Sequence, residues 1–306
     1  PPADPTVRHA AELVEWGRWH EARQLLAEAV AQPGNASNAP LIAYFSHVLT
    51  KFGELRAGMD AAKRAVALDA QCSSCHLYLF EAMAERAKGM NQFRALLQLP
   101  KMKKQLERAG ELDPTSGDVQ WAWIELDLAL PSTVGGSSSD ALKRADRLSA
   151  IDAVDGRLAR ASIFEALHRP DQALDEYRRA AEEHPEDARG EFALGQALYA
   201  RGDFAAAAPW LGKALALNPA SALYSGYQAA SLVRQKKLEQ AKAVLQSGQA
   251  LHPQSRLGDY LCAQALRQTA QDYGWAKQLL SAYVQVPPEP GEPSAAAAQK
   301  LLAELG

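Results

Sequence analysis

Four prolines, Pro185, Pro219, Pro253 and Pro287, stand 34 residues apart, and that period restricts the chain to one kind of architecture. Each of the first three closes a segment of the same pattern. In the segment Ala188 to Ser221, Leu194-Gly195 falls in a first helix and Gly202-Asp203 at a turn. Ala207, Leu211 and Ala214 follow in a second helix before Asn218-Pro219. Small residues suit the places where two helices touch, and large ones fill the space between hairpins. One helical hairpin cannot bury its apolar face alone, so it stacks on copies of itself.

Neighbouring segments repeat the pattern. Val154 to Asp187 carries Ala161, Phe164, Ala173, Tyr177 and Ala180, and Ala222 to Ser255 carries Ala229, Leu232, Ala241 and Leu245. Arg256 to Pro287 follows with Ala263, Leu266 and Leu279. An Ala-rich helix from Ser294 to Leu305 then reads as a cap over the last open face.

The N-terminal part uses the same grammar less regularly. Trp16-Gly17-Arg18-Trp19 and Lys51-Phe52-Gly53-Glu54 mark hairpin turns. The third hairpin, Cys72 to Pro114, is about ten residues too long. Its extra segment, Gly89 to Pro100, holds Phe93, Leu96, Leu97 and Leu99 at helical spacing. In the fourth hairpin, Pro131 to Asp140 reads as a flexible loop, with Asp140 placed to cap the next helix. The expected fold is all-α: a right-handed α-solenoid of about eight hairpins plus a C-terminal capping helix. It forms one domain over 1–306, irregular over 1–153, regular over 154–289 and capped by 293–306.

The repeat positions just given resemble those of tetratricopeptide repeat proteins. The middle of the chain, roughly 40–190, also resembles a narrower group of exported bacterial tetratricopeptide proteins. That likeness is carried by the long third hairpin, the ending Leu112-Asp113-Pro114, and the loop with Pro131, Gly135, Gly136, Ser137 and Ala141. The resemblance implies an exported protein, periplasmic or secreted, more than a cytoplasmic one, and supplies no activity. Because the sequence starts at Pro1 rather than Met, a processed or trimmed product is expected, from which any signal peptide would already be gone.

Composition narrows the partners. With 47% apolar and 23% charged residues the chain is expected to fold, and a net charge of −3 gives no broad basic field for nucleic acid. The longest uncharged run, Ala214 to Val233, is broken by Asn218-Pro219, Ser221, Gly226 and Gln228, so membrane insertion is not expected. The P-loop, nucleophile-elbow and zinc-protease motifs are all missing, so no enzyme activity is expected. Lys101, Lys103 and Lys104, like the acidic run at Glu182-Glu183, read as solvated helix faces, and Trp121 and Trp123 as packing.

In a tetratricopeptide array, positions 2, 5, 9 and 12 of each first helix line the inner wall. Here they place Arg189, Phe192, Gln196 and Tyr199 in one hairpin, and Leu257, Tyr260, Gln264 and Arg267 two hairpins later. Amide, guanidinium and aromatic groups can hold an extended peptide backbone and stack on its side chains. Arg189 and Arg234 are the expected anchors for acidic partner groups. Co-chaperone members of the family grip a carboxylate with Lys and Asn at positions 5 and 9. Those slots hold Phe192 and Gln196, Gly226 and Ala230, and Tyr260 and Gln264, so that clamp is absent.

The sharpest short motif is Cys72-Ser73-Ser74-Cys75-His76, which matches the attachment sequence of a c-type haem. On a helix its sulfurs and imidazole share a face, and the two Cα atoms lie about 5 Å apart, within reach of a disulfide. Three readings stand: a disulfide, a covalent haem on Cys72, Cys75 and His76, or reduced cysteines. No cofactor is expected on the leading reading, and no metal, because three ligands do not close a structural zinc site. Cys262 is expected as a buried thiol. The function that follows is binding of another protein or an extended peptide in the groove. The rivals are a haem carrier and a structural subunit of a larger assembly.

Overall fold

The computed structural model describes residues 4–305, and among them every regular element is helical. There are seventeen α-helices, paired as eight hairpins with one helix left over. The first four pairs are α1 (Pro5–Glu15) with α2 (Trp19–Ala31), α3 (Ala39–Lys51) with α4 (Leu55–Leu68), α5 (Ser73–Lys88) with α6 (Gln92–Leu112), and α7 (Gly117–Ala129) with α8 (Ser138–Ile151). The next four are α9 (Ala153–Ala166) with α10 (Pro170–Glu183), α11 (Ala188–Ala200) with α12 (Phe204–Leu217), α13 (Ala222–Arg234) with α14 (Leu238–Leu251), and α15 (Leu257–Gln268) with α16 (Tyr273–Tyr283). The last helix, α17 (Ala295–Glu304), packs on α16. The chain falls into two compact units, Pro1–Val14 with Trp19–Ala159 and Glu15–Arg18 with Arg160–Gly306.

Local chemistry starts and stops these helices. Asn91, Ser116, Asp203, Ser221 and Ser294 each accept a hydrogen bond from the backbone N–H three residues on, at the N-termini of α6, α7, α12, α13 and α17. In the second unit the first helices end in one repeated turn. Gly202 takes φ 84° there, Asp203 N–H reaches back to the Leu198 carbonyl at 3.0 Å, and Gly202 N–H reaches Tyr199 at 3.0 Å. These are the paired bonds of a Schellman turn, whose left-handed residue costs glycine nothing.

Core positions match the repeat pattern. Leu211 is fully buried against Gly195, where a Cβ would stand 2.7 Å from the Leu211 side chain. Ala207, Ala214, Ala241, Leu245, Ala263 and Leu266 are buried as well. In the first unit Ala22, Leu26 and Ala29 of α2 do the same work. The extra segment of the third hairpin is not a separate element. It is the N-terminal extension of α6, which runs 21 residues through Pro100.

Candidate functional site

In the first unit, α5 lies between α3 and α7. His47, Glu81 and Glu125 occupy matching places on these three first helices. The first step is 34 residues, and the second is 44, longer by the α6 extension. Beside this row opens a cleft of about 740 Å³. Phe80 and Leu126 form its apolar floor, and Leu96, Leu99 and Met102 of α6 form one wall. Leu130, Pro131, Thr133 and Val134, at the end of α7 and the turn after it, form the other. Both irregular insertions of the first unit therefore become walls of one cleft.

Its polar groups are unevenly satisfied. His47 Nδ1 donates to Glu81 at 2.6 Å, and the imidazole packs between the rings of Tyr44 and Tyr78 at 5.5 and 5.0 Å. Burial acts to raise the Glu81 pKa, but His47 and Lys51 outweigh it and hold the carboxyl below its usual value. Glu85 pairs with Lys88 at 2.5 Å. Glu125 lines the cleft without a hydrogen bond or ion pair among the described residues. Desolvation raises its pKa, Lys51 and Lys88 oppose that, and Glu81 and Glu85 add to it.

The turn from α7 to α8 is wound tightly, contrary to the expectation of a flexible loop. Ser132–Val134 form one 3₁₀ turn, Gly136 N–H bonds the Pro131 carbonyl at 3.1 Å, and Ser137 N–H bonds the Asp127 carbonyl at 3.1 Å. A Cβ on Gly136 would fall 1.7 Å from the Leu130 carbonyl oxygen, so only glycine fits. The cap of α8 is Ser137 rather than Asp140: its hydroxyl accepts from the Asp140 N–H at 3.1 Å. Below the turn, Arg144 donates to the buried Asp127 at 2.9 Å and lies 4.4 Å over the Trp123 ring, so Trp123 serves packing.

Cys72 and Cys75 are joined as a disulfide with their Cα atoms 5.3 Å apart. Both sulfurs are thus used. His76 is buried, with Nδ1 2.7 Å from Gln105 Oε1 and Nε2 3.2 Å from the Ala70 carbonyl. The three groups of the haem motif are therefore occupied by protein, and the disulfide is the reading that matches. Cys262 is a buried free thiol.

The residues chosen from the repeat register lie in the second unit and are largely engaged there. Phe192 is buried and stacks on Tyr224 at 4.5 Å, with Tyr227 edge-on at 5.5 Å. Tyr199 packs between Phe204 and Tyr227, and burial pushes its hydroxyl up to about 12 although Arg234 opposes this. Arg189 is bidentate to Asp187, with its Nη2 at 2.6 Å. Arg234 hydrogen-bonds Gln268 and lies 4.1 Å over Phe204, and Arg267 pairs with Glu304. Tyr260 leans on Tyr283 at 5.5 Å. Gln196, Tyr260 and Gln264 remain partly exposed.

His47, Glu81 and Glu125 lie outside the regular repeats whose register marks the inner wall. The signal was available: carrying the ninth position of the first helix back into the irregular half, and allowing for the ten extra residues, lands on all three.

Comparison with known proteins agrees with this architecture. Residues 154–197 match the family described as Tetratricopeptide repeat. Yeast Tom70 superposes with a TM-score of 0.64 at 15% identity, over 95% of this chain and 58% of that one. TTC0263, a thermophilic TPR protein in Thermus thermophilus, gives 0.52 at 19% identity, over 63% of this chain and 97% of its own. The APC/C hetero-tetramer Cut9-Hcn1 gives 0.50 at 13%, over 99% and 55%. No curated protein matches in sequence. At these identities the likeness is one of fold: the chain is built as a tetratricopeptide solenoid, a fold generally used for protein–protein interaction.

Proposed function

We propose that this protein is a non-catalytic binding module that holds a segment of another protein in the cleft between α5, α6 and α7. The observation that carries the reading is the cleft itself. Its floor and walls are mainly apolar, with Lys51, Glu81, Glu85, Lys88 and Glu125 also lining it, it has the volume of a small-ligand or peptide pocket, and the two departures from the regular repeat build it. Insertions in a repeat array cost little in loop closure and gather where binding occurs. In the second unit the same role falls on Gln196, Tyr260 and Gln264, inner-wall residues whose side chains are partly exposed and form no hydrogen bond or ion pair among the described residues.

Random peptides displayed on phage and selected against the intact protein test this. Ala95→Trp and Ala129→Trp fill the cleft from opposite sides, and each should weaken the selected peptides by at least about tenfold. Undiminished binding to both variants would remove the cleft from the function.

An oxidising compartment, periplasmic or extracellular, belongs to the same proposal and is supported by the Cys72–Cys75 bond. Protein taken from its host with thiols blocked during lysis should yield one reactive thiol after denaturation, that of Cys262. Three would place it in a reducing compartment.

A further inference from the structure

The opposite side of α6 carries a second feature. From Arg86 to Leu106 the chain holds Arg86, Lys88, Arg94, Lys101, Lys103 and Lys104, and no Asp or Glu. Four cations, Lys63 of α4, Arg86 of α5 and Lys101 and Lys104 of α6, surround one recess of about 390 Å³. Its apolar lining is Met59, Leu79, Met83 and Met90, and no acidic side chain lines it. None of the four cations forms an ion pair among the described residues, whereas Lys88 and Arg108 nearby are paired with Glu85 and Glu111. Four like charges around one recess repel each other, and nothing in the recess offsets them.

Next to this recess α6 exposes Phe93 and Leu97, which are 72% and 59% accessible. Among the described residues eight large hydrophobic side chains are exposed, and two of them, Phe93 and Leu97, lie one turn apart here, while Leu96 faces the cleft. Cationic rim, methionine lining and an adjoining apolar shelf are complementary to one kind of surface. We propose that this face of α4, α5 and α6 docks an acidic amphipathic segment of a partner protein, in which Asp or Glu alternates with large apolar residues at helical spacing. The carboxylates would meet Lys63, Arg86, Lys101 and Lys104, and the apolar side chains would enter the methionine-lined recess. Methionine adapts its shape to varied side chains, and charge complementarity sets partner choice and encounter rate. A bilayer offers its charges in a plane and cannot carry them together with apolar groups into a recess between three helices, so a protein segment is the better fit. The proposal does not rest on the cleft, which lies on the other face of α6.

The test is fluorescence anisotropy with labelled synthetic helices added to the intact protein. One peptide carries Leu and Glu on opposite faces, a second replaces Glu by Lys, and a third replaces Leu by Ser. The Leu/Glu peptide should bind, weaken as salt is raised, and lose at least about tenfold in affinity with Lys101→Glu plus Lys104→Glu. Both lysines are exposed, so the reversal should leave the helical circular dichroism intact, and Lys101→Gln plus Lys104→Gln should give an intermediate loss. Ala95→Trp should leave this binding unchanged. Equal binding of the Leu/Glu and Leu/Lys peptides would overturn the proposal, as would undiminished binding by the reversed variant. So would sedimentation with phosphatidylglycerol vesicles that the Leu/Glu peptide does not displace.

Discussion

Gly202 and Lys236 occupy the same left-handed turn one repeat apart, at φ 84° and 63°. His168 and Ala270 hold it in the flanking repeats at 56° and 51°, so this backbone geometry recurs every 34 residues whatever the side chain. In each case the next residue donates to a carbonyl five positions back: Arg169 to Phe164, Asp203 to Leu198, Lys237 to Leu232 and Gln271 to Leu266. The hydrogen-bonded turn imposes the conformation, and a non-glycine residue bears the Cβ strain. Lys236→Gly is therefore expected to stabilise the protein by about 0.5–1 kcal/mol, because the relief of strain exceeds the entropy that glycine adds to the unfolded chain. Denaturant titration reads it, and a loss of stability would mean that the turn is unstrained.

That turn shows which parts of the fold were legible. The Gly202-Asp203 pair, the 34-residue proline spacing and the Ala207/Leu211/Ala214 rhythm are local, and each reports on its own backbone or its own helix contact. Two structures over 89–140 were not legible, because each depends on a distant partner. Pro100 marks the end of an insertion by propensity, yet α6 continues through it with Leu99, Met102 and Leu106 packed against α5 and α7. Gly135-Gly136 reads as slack, yet Gly136 is there because the Leu130 carbonyl leaves no room for a side chain. The repeat register is silent on packing along the inner wall for a related reason. The register places Phe192 and Tyr199 on the first helix, but only the neighbouring Tyr224 and Tyr227 show that they are covered.

A substitution at Gly136 separates a wound turn from a loose one. Gly136→Ala places a methyl group against the backbone carbonyl of Leu130, which cannot rotate away as a side chain can. A loss of about 1–3 kcal/mol is expected, together with a change in peptide binding, because Thr133 and Val134 of this turn line the cleft. Gly274→Ala, where the nearest atom would be 3.6 Å away, is the control and should be neutral or slightly stabilising. Equal stability of Gly136→Ala and wild type would restore the flexible loop.

Asp259 gives the second unit a pH dependence of known sign. Its side chain is wholly buried in α15 and accepts from Arg256 Nη1 at 3.2 Å and from Gln249. Burial raises its pKa to about 6, while Arg256 and Gln249 pull it down. An unfolded Asp titrates near about 3.9. Between those values the native state keeps a proton that the unfolded chain has released, so this group lowers stability as pH rises from about 4 to about 6, and its effect is constant above. Asp259→Asn removes the slope. The stability of the variant relative to wild type should increase by about 2–3 kcal/mol from pH 4 to pH 7. A flat difference would show that the carboxylate ionises normally in the fold.

The inner wall of the second unit needs stability and binding measured together. Phe192 and Tyr199 pack into the clusters around Leu194, Leu198 and Leu211, and Tyr199 also touches the cluster containing Leu232 and Leu266. Phe192→Ala should therefore cost about 3–5 kcal/mol in folding, as buried Phe truncations do, whatever the groove binds. Tyr199→Ala should fall in the same class, since it empties the space between Phe204 and Tyr227. Neither variant can report on binding by itself. Gln196→Ala and Gln264→Ala remove partly exposed amides without opening a cavity, and should stay within about 0.5 kcal/mol of wild type in stability. If either weakens a captured peptide at unchanged stability, the wall binds. If both leave capture intact while Ala95→Trp and Ala129→Trp abolish it, binding belongs to the first unit, and the aromatic row of the second unit is core.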